Sequence, residues 1–274
     1  MAHRREDGSF RFSAAGAKAA RRLVLEEVLA RVGGELSSLG LRWMPIKGAY
    51  LLRAGLADHL PLRRIHDLDI LLHANDFHRA AEHLETLPNV DAVPHRWPFE
   101  AVFEYSYGSF SVPVELHRLL NYPERFLLPP AELFQRGSPV EGDSNQVLPG
   151  PEDALLIAIC HRLVHAAHSP PPRTYDELAL VAALPGFSWE RFWEAARATG
   201  VEGFVHYLLK QCERHTGLQA SFPRKHPYAG ALAHVPRIAA YGRLSSVFRR
   251  VFVELPFVRN PAGLVLRKLR TPRG

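Results

Sequence analysis

Apolar residues recur at helical spacing from Ser13 to Leu39, where Leu23, Val24, Val28, Leu29, Val32, Leu36 and Leu39 fall on one stripe. Residues 1–12 before it are polar and predict loose chain. Trp43-Met44-Pro45-Ile46 is a short apolar run of strand character, and Gly48–Ala57 has the spacing of a helix that begins at Gly48. Ile65–His73 predicts a second strand, and Asn75 or Asp76 caps a helix that runs to about Leu87. Strict alternation follows. Phe99, Ala101, Phe103, Tyr105 and Tyr107 share one face, and Gly108-Ser109 turns the chain into Phe110–His117, so the pair predicts a hairpin. In its second strand Phe110, Val112, Val114 and Leu116 face one way, and Ser111, Pro113, Glu115 and His117 the other. Pro113 has no N–H for the ladder, which predicts a sheet edge or a bulge at that point.

Around Gln135–Pro151 the composition turns to Gly, Pro, Ser, Asp and Asn, as expected of a linker. Strand patterns stop there. Glu152–His168, Asp176–Leu184, Trp189–Thr199 and Glu202–Thr216 all have helical spacing, with Pro170-Pro171-Pro172 interrupting the first two and Ser188 capping the third. Beyond Phe222 the pattern weakens, although Arg237–Leu255 and Ala262–Arg270 fit basic amphipathic helices. The order of elements predicts an α+β chain, with strands and helices in the first part and helices alone after the linker. The expected division is 1–148 and 149–274.

Composition narrows the classes without choosing among them. The chain has 274 residues, 47% hydrophobic and 23% charged, the balance of an ordinary globular protein. A net charge of +6 suits anionic partners such as nucleotides, nucleic acid or a membrane surface. Much of that excess sits at the two ends, so a nucleic-acid partner is possible but not favoured. Cys160 and Cys212 both lie in apolar helical sequence, and Met1-Ala2-His3-Arg4-Arg5 opens no signal peptide, so reduced core thiols and a cytoplasmic location are expected. No apolar run reaches the ~20 residues of a membrane span. Motifs for P-loop, dinucleotide-binding and α/β-hydrolase chemistry are absent.

The chemistry concentrates between Trp43 and His73. Asp67 and Asp69 flank Leu68 at the start of an apolar strand, so their side chains point the same way, roughly 7 Å apart along it. Like charges held so close repel unless a cation lies between them. Glu115, on a later strand, supplies a third acid. Three carboxylates on adjacent strands suit a two-metal centre, and magnesium, which favours hard oxygen ligands, is the expected ion. Gly48 would let backbone approach phosphate at a helix start, with Lys47 and Arg64 gripping triphosphate oxygens. Plainer readings stand beside these: a solvated Asp-x-Asp turn, a surface Lys47, a His117 that bonds only to backbone. His161, His165 and His168 share one helix face and suit a cleft, a zinc ion or a hydrogen-bonded core.

Ile46-Lys47-Gly48, then Arg64-x-x-Asp67-x-Asp69-Ile70-Leu71, then Val114-Glu115-Leu116-His117 resemble the uncharacterised nucleotidyltransferase family of the DNA polymerase beta-like superfamily. His161-x-x-x-His165, Glu177-Leu178-Ala179 and Trp189 are similar to the same family's C-terminal region, and the resemblance spans roughly residues 15–220. It implies a nucleotidyltransferase-type catalytic domain, a small mixed sheet flanked by helices, with an all-helical C-terminal domain closing its cleft. It implies transfer of a nucleoside monophosphate from an NTP to a hydroxyl of an unidentified small molecule, sugar or peptide, with release of pyrophosphate. Asp67, Asp69 and Glu115 would be the catalytic and metal-binding residues, two Mg2+ ions being expected. Lys47, Gly48, Arg64 and His117 would bind the nucleotide, ATP among the candidates. Two irregularities are visible: Lys47 stands where better-known nucleotidyltransferases have Gly-Gly or Gly-Ser, and Pro113 stands just before the Val-Glu-Leu-His run, whose Glu115 matches the third acid where relatives outside the family often have Asp. Nucleotidylation of tRNA or protein, and a non-catalytic nucleotide-binding module, are the alternatives.

Overall fold

The computed structural model describes residues 2–4, 10–12, 14–60, 65–93, 99–120, 126–165 and 172–222. Near the N-terminus β1 (Ala2–Arg4) and β2 (Phe10–Phe12) pair antiparallel, Ala2 opposite Phe12. This differs from the loose chain expected there. Phe10-Arg11-Phe12 carries a short two-residue alternation that the polar average of the segment conceals.

Helix α1 (Ala14–Ser38) follows. Leu25, Val28, Leu29, Val32 and Leu36 are buried along its inner face, whereas Leu23, placed on that stripe by spacing, is 63% exposed. The helix ends at Gly40, whose φ of 69° lets Leu41 N–H reach back to the Leu36 carbonyl at 3.0 Å. Strand β3 (Trp43–Ile46) leads directly into the short helix α2 (Lys47–Arg53). A single 3-10 turn at Ala57–His59 replaces the last part of the helix expected to run to Ala57. Strand β4 (Leu68–Leu72) is entirely buried, and α3 (Phe77–Glu85) follows it with Asp76 at its cap position. Next come β5 (Val90–Ala92), β6 (Glu100–Tyr107) and β7 (Phe110–His117).

Seven strands form one mixed sheet in the order β5-β6-β7-β4-β3-β9-β8, flanked by helices, as the family resemblance implies. Its last two strands correct the linker expected at Gln135–Pro151. After α4 (Pro130–Arg136) the chain forms β8 (Ser138–Val140) and β9 (Asp143–Leu148), and β9 runs parallel to β3 with Gln146 opposite Trp43. Side chains rather than apolar alternation fix this strand. Asp143 accepts from the Asn145 backbone at 3.0 Å and from Ser37 Oγ at 2.7 Å, and Asn145 Nδ2 donates to the Ser37 carbonyl at 3.2 Å.

The hairpin of β6 and β7 keeps an unbroken register from Tyr107 opposite Phe110 to Glu100 opposite His117. Pro113 is therefore not in a bulge, and although β7 lies inside the sheet, Pro113 itself sits at a local edge, as its missing N–H predicts. It is tolerated because the parallel ladder to β4 begins one residue later, with Leu68 opposite Val114, so that flank has no partner strand at Pro113.

The chain divides into two compact units, residues 1–58, 64–118 and 139–148 in one, and 59–63, 119–138 and 149–274 in the other. In the second, the described residues after Pro149 form α5 (Pro151–His165), α6 (Pro172–Ala182), α7 (Trp189–Thr199) and α8 (Glu202–Thr216). Ser188 caps α7 by accepting from Arg191 N–H at 3.4 Å. Leu155, Ile159, Leu163, Leu178, Phe192, Phe204 and Leu208 are buried there, as are the free thiols Cys160 and Cys212. His168 and the basic segments beyond Phe222 lie outside the described residues, as does the His165 side chain. No helix among the described residues is long and apolar enough to cross a membrane.

Candidate active site

The centre of the sheet places four titratable side chains together, and strand register is the cause. Asp69 on β4 lies opposite Glu115 on β7, and Ile46 on β3 lies opposite Asp69 on its other flank. Glu115 and His117, two residues apart on β7, share a face. Ligand atoms of Asp69, Glu115 and His117 all come within 4.8 Å of one another. Asp69 is 2% exposed and His117 4% exposed, so both are removed from bulk water.

Lys47 completes the group from the start of α2. Its Nζ donates to Asp69 Oδ1 at 2.6 Å, and His117 Nε2 lies 2.9 Å from the same oxygen. His117 Nε2 is also 3.5 Å from Glu115 Oε2, while its Nδ1 faces Glu100 Oε2 at 3.8 Å. Lys47 holds this position with a φ of 52°, the only positive value at a non-glycine among the described residues. An L-residue with a long side chain avoids that region at a cost of roughly 1–2 kcal/mol. The sharp turn from strand to helix at Lys47 brings the ammonium back over the sheet.

The electrostatics follow from burial opposed by opposite charge. Burial alone would raise the Asp69 carboxyl, but Lys47 and His117 hold it well below the usual carboxylate range. The Lys47 ammonium is disfavoured by burial, yet Asp69 leaves it raised above its ordinary value. His117 is likewise disfavoured as a cation by burial and by Lys47, and its hydrogen bonds to Asp69 and Glu115 outweigh both and raise it. Asp67 precedes β4 instead of lying within it as expected, and it is half-buried. Its carboxyl is raised by burial and then by the charges of Asp69 and Glu115, so three acids bear on one region. Glu100 is raised by burial and, more weakly, by Glu115, against His117, which lowers it.

The expected site residues thus separate. Asp69, Glu115, His117 and Lys47 meet, and Asp67 acts on them through charge. His117, expected at the nucleotide, sits on the carboxylates. Gly48 has a packing reason for lacking a side chain: a Cβ there would stand 2.9 Å from Ile65 Cγ2. Arg64 lies outside the described residues. Glu100 went unrecognised in the sequence, although the two-residue turn at Gly108-Ser109 sets the hairpin register and so pairs it with His117.

A model of the uncharacterised nucleotidyltransferases matches residues 10–217. The chain belongs to that family. Among solved structures the chain is similar to the crystal structure of JHP933 from Helicobacter pylori, at 13% identity and a TM-score of 0.41 over 92% of this chain and 98% of that one. No curated protein matches. Membership sets the acidic group of β4 and β7 in a chain of a nucleotidyltransferase family, a chemical context that a buried ion-pair network alone would lack.

The donor set fits a divalent cation. Two carboxylates and an imidazole nitrogen converge within 4.8 Å, and the Lys47 ammonium already rests where a cation is stabilised.

Proposed function

We propose that this nucleotidyltransferase moves a nucleoside monophosphate from an NTP to an acceptor hydroxyl, releasing pyrophosphate, with Asp69 and Glu115 as the principal metal-binding carboxylates and Asp67 beside them. The observation that carries the reading is the parallel register of Asp69 against Glu115, which sets two acids from different strands side by side in a chain of this family. A divalent ion held there, Mg2+ on the count of hard oxygen ligands, would lower the pKa of the acceptor hydroxyl and neutralise charge on the leaving pyrophosphate.

The chain's own residues contribute three things. Glu115 is the least buried of the close pair and is placed to take the acceptor proton. Lys47 shares Asp69 with His117, so its ammonium is held near the phosphate-binding region at little further entropic cost. Gly48, at the opening of α2, and Arg64 remain the candidates for phosphate contact. The sugar, small-molecule or peptide nature of the acceptor belongs to the same proposal.

The experiment is transfer of label from each α-labelled NTP in Mg2+, with small metabolites, total RNA and total protein as separate acceptor pools. Label in the small-molecule pool that is lost in Asp69→Asn is the expected result. Label confined to RNA or protein would select the macromolecular alternative. NTP binding without transfer to any pool would make the chain a nucleotide-binding module.

A further inference from the structure

His117 has a geometry that the nucleotide-binding role expected of it does not use. Its Nε2 stands 2.9 Å from Asp69 Oδ1 and 3.5 Å from Glu115 Oε2. Two donors about 2.1 Å from one ion stand about 3.0 Å apart at the right angle of an octahedron and about 3.4 Å apart at a tetrahedral angle. Both separations in the site match these edges. On the far side of the ring the Glu100 carboxylate lies 3.8 Å from Nδ1, too far for a hydrogen bond but near enough for its charge to favour the proton on Nδ1 and leave Nε2 for an ion. Glu100 reaches that place because it lies directly opposite His117 in the β6–β7 ladder. The imidazole is buried between two sets of acids, so its two nitrogens are committed to opposite sides.

We propose that Asp69, Glu115 and His117 form one metal site in which the His117 imidazole is a direct ligand through Nε2, so that the site takes Co2+ or Zn2+ in preference to Mg2+. The proposal rests on the divalent-ion part of the function above and replaces its Mg2+, which counts the carboxylate oxygens alone, with an ion that also accepts the imidazole nitrogen. Magnesium demands hard oxygen donors and near-ideal octahedral geometry, whereas an imidazole nitrogen suits the later first-row ions. Lys47 enters as the competitor. Its ammonium lies on the same Asp69 oxygen, so an ion that arrives must share or displace it. Glu100 is a positioning residue: it touches neither the ion nor a substrate and acts on the ring through its charge.

The test is metal titration of the full chain without nucleotide, so that it can fail while nucleotidyl transfer stands, and succeed while transfer fails. Wild type is expected to bind Co2+ at least 10-fold more tightly than Mg2+, and His117→Asn to reduce that ratio about 10-fold. Proton NMR of the Co2+-loaded chain should show a strongly shifted, solvent-exchangeable imidazole N–H, from Nδ1, that disappears in His117→Asn and moves in Glu100→Gln. The Glu100→Gln shift keeps the test decisive if His117→Asn fails to fold, because Glu100 is half-buried. Three results would overturn the inference: no ion bound by wild type, an unchanged Co2+/Mg2+ ratio in folded His117→Asn, or a shifted N–H unaffected by either substitution.

Discussion

Lys47 combines a disfavoured backbone with a buried ion pair, and the two can be separated by substitution. Removing the ammonium leaves Asp69 with His117 as its remaining close cation. Lys47→Met should therefore destabilise the metal-free protein by about 3 kcal/mol in denaturant unfolding, the scale of a broken buried pair. Lys47→Gly loses the same charge but adopts the φ of 52° without strain, so it should be about 1 kcal/mol less damaging than Lys47→Met. Equal losses would mean that the backbone at Lys47 is not strained. The pH dependence follows from His117. Its folded pKa is raised above the unfolded value near 6.5, so its contribution is fully present below about pH 6.5 and is lost as the pH rises through the folded value. Metal-free wild type should lose stability on that alkaline side, and His117→Asn should lack this part of the slope. Asp69 acts in the opposite sense. Its depressed folded pKa contributes stability above about pH 4 that is lost as the pH falls below it.

At the scale of elements, α1, β3 and β9 are joined around Trp43. The indole Nε1 donates to Ser37 Oγ at 2.9 Å, and its ring lies against Gly33, where a Cβ would stand 2.2 Å from Cζ2. Gly33→Ala should lower stability by about 1–3 kcal/mol through overpacking, measured by thermal or denaturant unfolding, whereas Gly34→Ala, which meets nothing within 4 Å, should be neutral or stabilising. Equal effects at the two glycines would contradict this packing. Helices with strong apolar periodicity were legible in the sequence, α7 and α8 to the residue. The hairpin was legible too, because alternation and a two-residue turn agree on one register. Strands β8 and β9 were not, since Asp143 and Asn145 fix them by hydrogen bonds to the backbone and to Ser37, which leave no apolar pattern. At the site, the order of acids along the chain pointed to Asp67, Asp69 and Glu115, of which Asp69 and Glu115 meet and Asp67 stands before β4. The turn at Lys47 and the placement of His117 depend on pairing across three strands, which no single segment encodes.

Over the whole molecule, the family match and the pairing of β4 with β7 lead to one site, while the helical unit carries buried thiols that serve as an independent probe of its integrity. Burial raises both Cys160 and Cys212 above the ordinary thiol value. A thiol-specific reagent should label neither in the native chain and both after unfolding. Labelling of Cys212 under native conditions would show that the packing around α6 and α8 opens. The central claim is that Asp69 and Glu115 are the acids of a nucleotidyltransferase. Its most direct test is transfer of α-labelled nucleotide by wild type and by Glu115→Gln, with circular dichroism confirming that both are folded. The account predicts label transfer by wild type and a loss of about 100-fold or more in the variant. Transfer by folded Glu115→Gln at the wild-type rate would contradict it.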